Sequence, residues 1–119
     1  MTDRKPTGGR YRKSRKKKKH ELARQTRYTK IGEEKKKKIR GQGGEEKTVL
    51  LATDKCNLIN GDGKAEVVKI KNVLETPSDR FLARRNILRK GALIETEKGK
   101  AEITNRPSQE GSVQAILKE

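Results

Sequence analysis

Two kinds of reactive side chain are almost missing from this 119-residue chain, which has one cysteine and one histidine. A single thiol excludes an internal disulfide, and Cys56, between Lys55 and Asn57, has no CxxC spacing. It reads as a packed or half-buried thiol, with redox or metal chemistry as the alternative. His20 sits inside a basic run, so the usual zinc ligands cannot be assembled and no metal or other cofactor is expected. Long apolar runs are missing too. The longest is Val49 to Ala52, whereas a membrane span needs about 20 residues and a signal-peptide core about 7–15. A cytoplasmic location without a membrane partner is the expectation. Nothing fits GxxxxGK[ST], and no GxGxxG follows a strand, which argues against nucleotide hydrolysis and dinucleotide binding. Glu45 and Glu46 are neighbours in a glycine-rich stretch rather than carboxylates converging on a pocket. The chain is read as a binding protein, not an enzyme.

Acidic residues are also scarce where cations are dense. Residues 1–40 hold 18 Lys or Arg against 4 acids, while residues 41–119 hold 14 against 12. Apolar residues divide the other way, with 7 in residues 1–44 and 27 in residues 45–119. The reading is a basic extension over 1–44, disordered when free, and a foldable domain over 45–119. Ordering the extension costs roughly 1–2 kcal/mol per residue, so a partner must supply the contacts. The domain is small, with a stability on the order of 3–5 kcal/mol.

Along the chain, Gly8-Gly9 marks an irregular start. A helix over Ser14–Arg27 is open only against a counter-charged surface, because its like charges repel at i,i+3 and i,i+4. Glu33–Lys37 and Glu34–Lys38 pairs predict a short helical turn, and Gly41–Gly44 a hinge. Strands are predicted over Thr48–Thr53 and Cys56–Ile59, then a hairpin at Asn60-Gly61-Asp62-Gly63 leading into Ala65–Leu74. Val67 and Val68 fall on opposite phases, which predicts a bulge between them. Thr76 as N-cap and Pro77 at the first helical position predict a helix to Arg85 that buries Phe81 and Leu82. Strands Ala92–Glu97, Lys100–Asn105 and Ser112–Leu117 complete the set, with a loop at Arg106–Gly111. The predicted fold is all-β: a small closed or nearly closed barrel of about six short strands with one short helix, a sandwich being the competitor.

The basic extension carries the functional signal. A solubilising tail is the bland reading, but phosphate backbones account better for such charge density, through counterion release. Arg4, Lys5, Arg10, Arg12, Lys13, Arg15, Lys16, Lys17, Lys18, Lys19, Arg24, Arg27, Lys30 and Arg40 are the candidate cations, with His20 as a further polar contact. Tyr11 and Tyr28 can stack on unpaired bases or act as nonspecific anchors. An anionic membrane would need an amphipathic face that Leu22, Ala23, Ile31 and Ile39 do not make. RNA is favoured over DNA, because extended basic segments that order on binding suit its irregular crevices. Arg80, Arg84, Arg85, Arg89, Lys90 and Arg106 form a second basic group, read either as a solvated face or as phosphate contacts that orient the barrel.

Certain stretches of this sequence resemble a known family. R-R-N-I-L-R-K-G-A-L-I-E-T-E-K-G-K-A-E-I-T-N-R-P-S-Q-E-G (84–111), T-G-G-R (7–10), R-K-K-K-K-H-E-L-A-R (15–24) and Y-T-K-I-G (28–32) resemble ribosomal protein eight of the small subunit, archaeal and eukaryotic type. The length is similar to the archaeal form. Ala23 stands where that family usually has glycine, and Gly41–Glu46 replaces a more basic stretch. The resemblance implies a small β-barrel with an N-terminal extension in small-subunit ribosomal RNA, beside neighbouring ribosomal proteins, and a monomer when free. It implies RNA contacts at Thr7, Gly8, Gly9 and Arg10, along Arg15–Arg24, and at Arg84, Arg85 and Arg106. A related domain in a large-subunit assembly factor makes action on pre-ribosomal RNA the alternative.

Overall fold

The apolar run Val49–Ala52 becomes the middle of a strand that joins two sheets. A computed structural model of the chain describes residues 4–12 and 14–118. Nine strands are found among them: β1 (Thr29–Ile31), β2 (Lys35–Arg40), β3 (Glu46–Thr53), β4 (Lys55–Ile59), β5 (Ala65–Glu75), β6 (Ile87–Leu88), β7 (Leu93–Thr96), β8 (Gly99–Ile103) and β9 (Gln114–Leu117). One helix, α1 (Arg80–Arg84), separates β5 from β6.

Strands β4-β5-β7-β8-β9 form a closed barrel. Its seam is the parallel pairing of β4 with β9, in which Leu58 lies opposite Ala115. Closure rules out the sandwich, and five strands rather than six make the wall. The predicted β4–β5 hairpin turns at Asn60–Lys64, with the Gly63 N–H donating to the Asn60 carbonyl at 2.9 Å. Gly63 sits at φ +77°, where a side chain would be strained.

Side chains alternate in and out along these strands, and Cys56, Leu58, Val68, Ile70, Val73, Ile94, Ala101, Ile103 and Ala115 meet inside. Ala92, Ala101 and Ala115 are wholly buried. A five-stranded wall leaves little radius, and small side chains at these points let it close. Burial raises the Cys56 thiol from 9.0 to about 11, since a thiolate would lose its hydration.

The second sheet has the order β2-β3-β1-β6. Here β3 pairs antiparallel with β2 and parallel with β1, and β1 pairs antiparallel with β6. The structure thus differs from the sequence reading at Lys35–Lys38, which form a strand and not a helical turn. The reason is tertiary: β3 needs partners for its backbone, and a hairpin across Gly41–Glu45 provides one, closed by the Gly41 N–H to the Glu45 carbonyl at 2.6 Å. The boundary drawn at residue 44/45 falls within this hairpin, and the paired β structure reaches back to Thr29. Between Ser14 and Arg27 the described backbone makes a single 3-10 turn, Lys19–Glu21.

Two local expectations are corrected. The bulge lies not at Val67/Val68, which pair in regular register with Asn57 and Cys56, but between Ile70 and Asn72 and again between Val73 and Glu75. Val67 faces solvent, so the inward phase shifts only after Ile70. The helix is capped by Asp79, whose Oδ1 accepts from the Phe81 N–H at 2.9 Å. Thr76 and Pro77 instead open a turn, in which the Asp79 N–H donates to the Thr76 carbonyl at 3.1 Å. Five residues give the helix one inward face, which buries Leu82 and leaves Phe81 exposed under the Arg80 guanidinium.

Asn86 follows this helix at φ +52°. Its Oδ1 accepts from the Val73 N–H at 3.3 Å, a donor left free at the β5 bulge. Asn tolerates this backbone region better than other non-glycine residues.

Two predictions follow from the barrel. Asn86→Gly keeps the backbone conformation but loses the acceptor, whereas Asn86→Ala loses the acceptor and strains the backbone by about 1–2 kcal/mol more. Urea midpoints should therefore fall in the order wild type, Asn86→Gly, Asn86→Ala. For Cys56, the pKa is raised in the folded state, so its contribution to stability is complete below about pH 9. It is lost as pH rises toward about 11. Alkylation of Cys56 at pH 8 should track global unfolding, and rapid labelling of the folded chain would contradict the buried thiol.

Candidate nucleic-acid interface

β2 reads K-K-K-K-I-R, and every residue but Ile39 is exposed. As the edge of its sheet it projects cations to both sides, because side chains alternate along a strand. The chain ahead of β1 runs beside this strand. The Arg24 guanidinium donates to the Arg40 carbonyl at 2.6 Å, and the Arg27 Nε donates to the Ser108 carbonyl at 3.4 Å.

Between the two runs lies a groove of about 1170 Å³. Lys19, Arg24, Arg27, Lys37, Lys38 and Arg40 line it, with His20 and no acid. A smaller hollow shares Arg24, Gln25 and Arg27 with the groove, and adds Lys47 from β3 with Ser108 and Gln109 from the barrel loop. A trough lined by one sign of charge focuses potential and raises the local concentration of polyanions.

Further toward the N-terminus, Lys5–Gly8 forms a tight turn that leads into the rest of T-G-G-R. The Gly8 N–H donates to the Lys5 carbonyl at 2.9 Å, and Arg4 and Arg10 pair across it. Thr7, Gly9, Arg12, Lys16, Lys17 and Lys18 are exposed. The Lys5 ammonium lies over the Tyr11 ring at 5.6 Å. Lys13 falls outside the described residues. Arg15 forms two hydrogen bonds to Glu21, at 2.9 and 2.6 Å. This Arg15 contact, together with the Lys18 N–H, holds the Glu21 carboxyl below its ordinary value. Among the described residues, Arg15 is the one Lys or Arg of the predicted set in an ion pair.

On the body, Arg84, Arg85 and Arg106 are exposed, as is Lys30 on β1. Arg85 is placed over the Tyr28 ring at 5.4 Å. The structure thus brings the end of the arm, β2 and the barrel loop at Arg106–Gln109 together. Arg84, Arg85, Lys30 and the Arg4–Arg12 stretch line neither of these hollows. Sequence reasoning left Lys35–Lys38 out of the site because it assigned them to helix pairs with Glu33 and Glu34. The available signal was Gly41–Gly44 standing directly before the β-rich Thr48–Thr53.

The sequence as a whole is similar to known proteins. The model of the ribosomal protein S8e family covers residues 1–118. This chain belongs to the ribosomal protein S8e family. It is 45% identical over 116 residues to a protein of Haloarcula marismortui named small ribosomal subunit protein eS8, covering 98% of this chain and 94% of that one. Proteins of the same name from Halorubrum lacusprofundi and Picrophilus torridus are 42% and 41% identical. Each alignment covers 96% of this chain and 92% of the relative. No large insertion separates this S8e-family chain from these relatives.

The junction that aims the arm is Thr29, fully buried, whose Oγ1 donates to the Leu50 carbonyl at 2.9 Å. Thr29→Val keeps the shape of the side chain and removes the donor. A loss of about 1–2 kcal/mol is expected in urea unfolding, with faster amide exchange in β1 than in the barrel. Unchanged stability would mean that β1 is held by its strand pairing alone.

Proposed function

We propose that this chain is a structural constituent of the small ribosomal subunit and binds ribosomal RNA through its N-terminal arm, the β2 strand and one face of the barrel. The observation that carries this is the acid-free groove between the arm and β2. Phosphates seated there replace cation–cation repulsion with charge-assisted hydrogen bonds and release condensed counterions. The relatives' names support the small subunit as the assembly, and a place in that assembly sets the chain in the cytoplasm beside other ribosomal proteins.

Two classes of cation share the work. Those on β2 are held by a hydrogen-bonded strand, so they contribute without a large ordering cost. Among the described residues, those ahead of Thr29 sit on backbone with few internal hydrogen bonds. That segment orders fully on RNA, where Arg4, Lys5, Thr7–Arg12, Lys13, Lys16–Lys19 and Arg24 meet phosphates, and Tyr11 stacks on a base. Arg84, Arg85 and Arg106 set the barrel's orientation on the same RNA, with Lys30 and Arg27 between the two parts.

The protein should co-sediment with mature small subunits in high salt, whereas presence on precursor particles alone would make it an assembly factor. On a small-subunit rRNA fragment, changing Lys37, Lys38 and Arg40 together to Ala should reduce the slope of log K against log salt by roughly 2–3. The barrel should remain folded. An unchanged slope would remove the groove from the interface.

A further inference from the structure

On the barrel side of Arg27 a second cleft, of about 390 Å³, differs in chemistry from the groove. Its apolar part is Ile87, Leu88 and Pro107, all buried, and the Tyr28 ring stands at its side, 40% exposed. Arg27, Arg89, Lys90 and Arg106 line it, with no acid among the lining residues. Ser78, Ser108 and Gln109 add hydrogen-bonding groups.

We propose that this cleft receives a single unpaired nucleotide of the bound RNA. The proposal rests on the RNA-binding reading above and deepens it by assigning the ligand of one subsite. A phosphodiester run needs only cations, and the groove beside β2 supplies those. A nucleotide needs a face for the base, polar groups for its edge and cations for the flanking phosphates. The exposed part of the Tyr28 ring is that face, with the buried Ile87, Leu88 and Pro107 as backing beneath the cleft.

The site is held in place by its own contacts. Arg85 over Tyr28 sets the ring's orientation while leaving part of it open for stacking. Arg27 bonded to the Ser108 carbonyl ties the Thr26–Tyr28 segment to the Arg106–Gln109 loop. That loop is braced by the Gln109 and Glu110 N–H groups on the Arg106 carbonyl, at 2.9 and 3.1 Å. β6 brings Ile87 and Leu88 beneath Tyr28 through the pairing of Thr29 with Leu88.

Nucleoside 5′-monophosphates and inorganic phosphate, each titrated into the full chain and followed by amide NMR, test the assignment. Monophosphates should shift Tyr28, Leu88 and Ser108, and phosphate at equal concentration should leave Tyr28 and Leu88 unmoved. Tyr28→Phe should retain monophosphate binding, and Tyr28→Ala should weaken it on the order of tenfold. With the rRNA fragment, Tyr28→Ala should lower affinity without changing the salt slope, because no cation is removed. Equal shifts by phosphate would make the cleft an anion patch and overturn the proposal. So would the absence of shifts by monophosphate, and both results come from the unaltered chain even if Tyr28→Ala does not fold. If the rRNA fragment still binds in either case, only the nucleotide cleft is lost. If the fragment does not bind, the RNA reading itself fails.

Discussion

Leu50 is the point through which the two sheets share one core. Its side chain packs with barrel residues, while its backbone belongs to β3 in the other sheet. The Leu50 N–H is shared between the Pro107 and Glu110 carbonyls of the barrel loop, at 3.2 and 3.1 Å, and its carbonyl accepts the Thr29 hydroxyl. Across the hairpin it lies opposite Lys36. One buried residue thus touches the barrel core, the loop that lines the cleft beside Tyr28, the strand that ends the arm and the strand that carries the cations. A sheet of four short strands with two charged members has too little apolar surface to stand alone. It persists because β3 is anchored in a closed barrel that has no free edge.

That anchoring explains how a chain of net charge +16 can fold at all. Self-repulsion opposes compaction, and the charge is placed where compaction is not required. The radius of gyration is 20.7 Å, against about 13–14 Å for a compact chain of this length. The longest dimension is 71 Å and the shortest 24 Å. The charge is therefore spread along an extended body, and only between its distant parts does salt screen the repulsion. Neighbouring cations on β2 and around the groove still repel one another. Neutral barrel and basic extension divide the labour: apolar burial specifies the fold, and charge density specifies the kind of partner.

The barrel was legible because its signals are local. Asn60–Gly63 names its own turn, and Ala101 and Ile103 alternate with Lys100 and Glu102 as a half-buried strand must. Leu82 was placed correctly, Phe81 was not, since a five-residue helix cannot bury two adjacent side chains. The second sheet was not legible for a physical reason. Lys35–Arg40 has no apolar period, and Thr29–Ile31 and Ile87–Leu88 are too short to show one. They become strands only because β3 and β1 offer unpaired backbone, which is information that lies elsewhere in the chain. The β5 bulge was expected from neighbouring valines, but its place is set by Asn86, which satisfies the Val73 N–H from 13 residues away.

The same distinction governs the site. Charge density could be read directly, so the arm and the basic group near Arg84 stood out in the sequence. Apposition could not, because the groove and the cleft are made by Arg27, which meets Lys37–Arg40 on one side and Arg106–Gln109 on the other. Charge alone attracts any polyanion and confers no register on it. Register requires cations at fixed separations, together with surfaces that accept something other than a phosphate. The β2 ladder fixes the separations, and the exposed Tyr28 ring offers the second kind of surface. The ladder rests on the pairing of β2 with β3, and the cleft on β1 seated between β3 and β6, a strand of three residues with a buried threonine. On the proposed RNA binding, a three-residue strand thus turns a run of positive charge into an oriented interface.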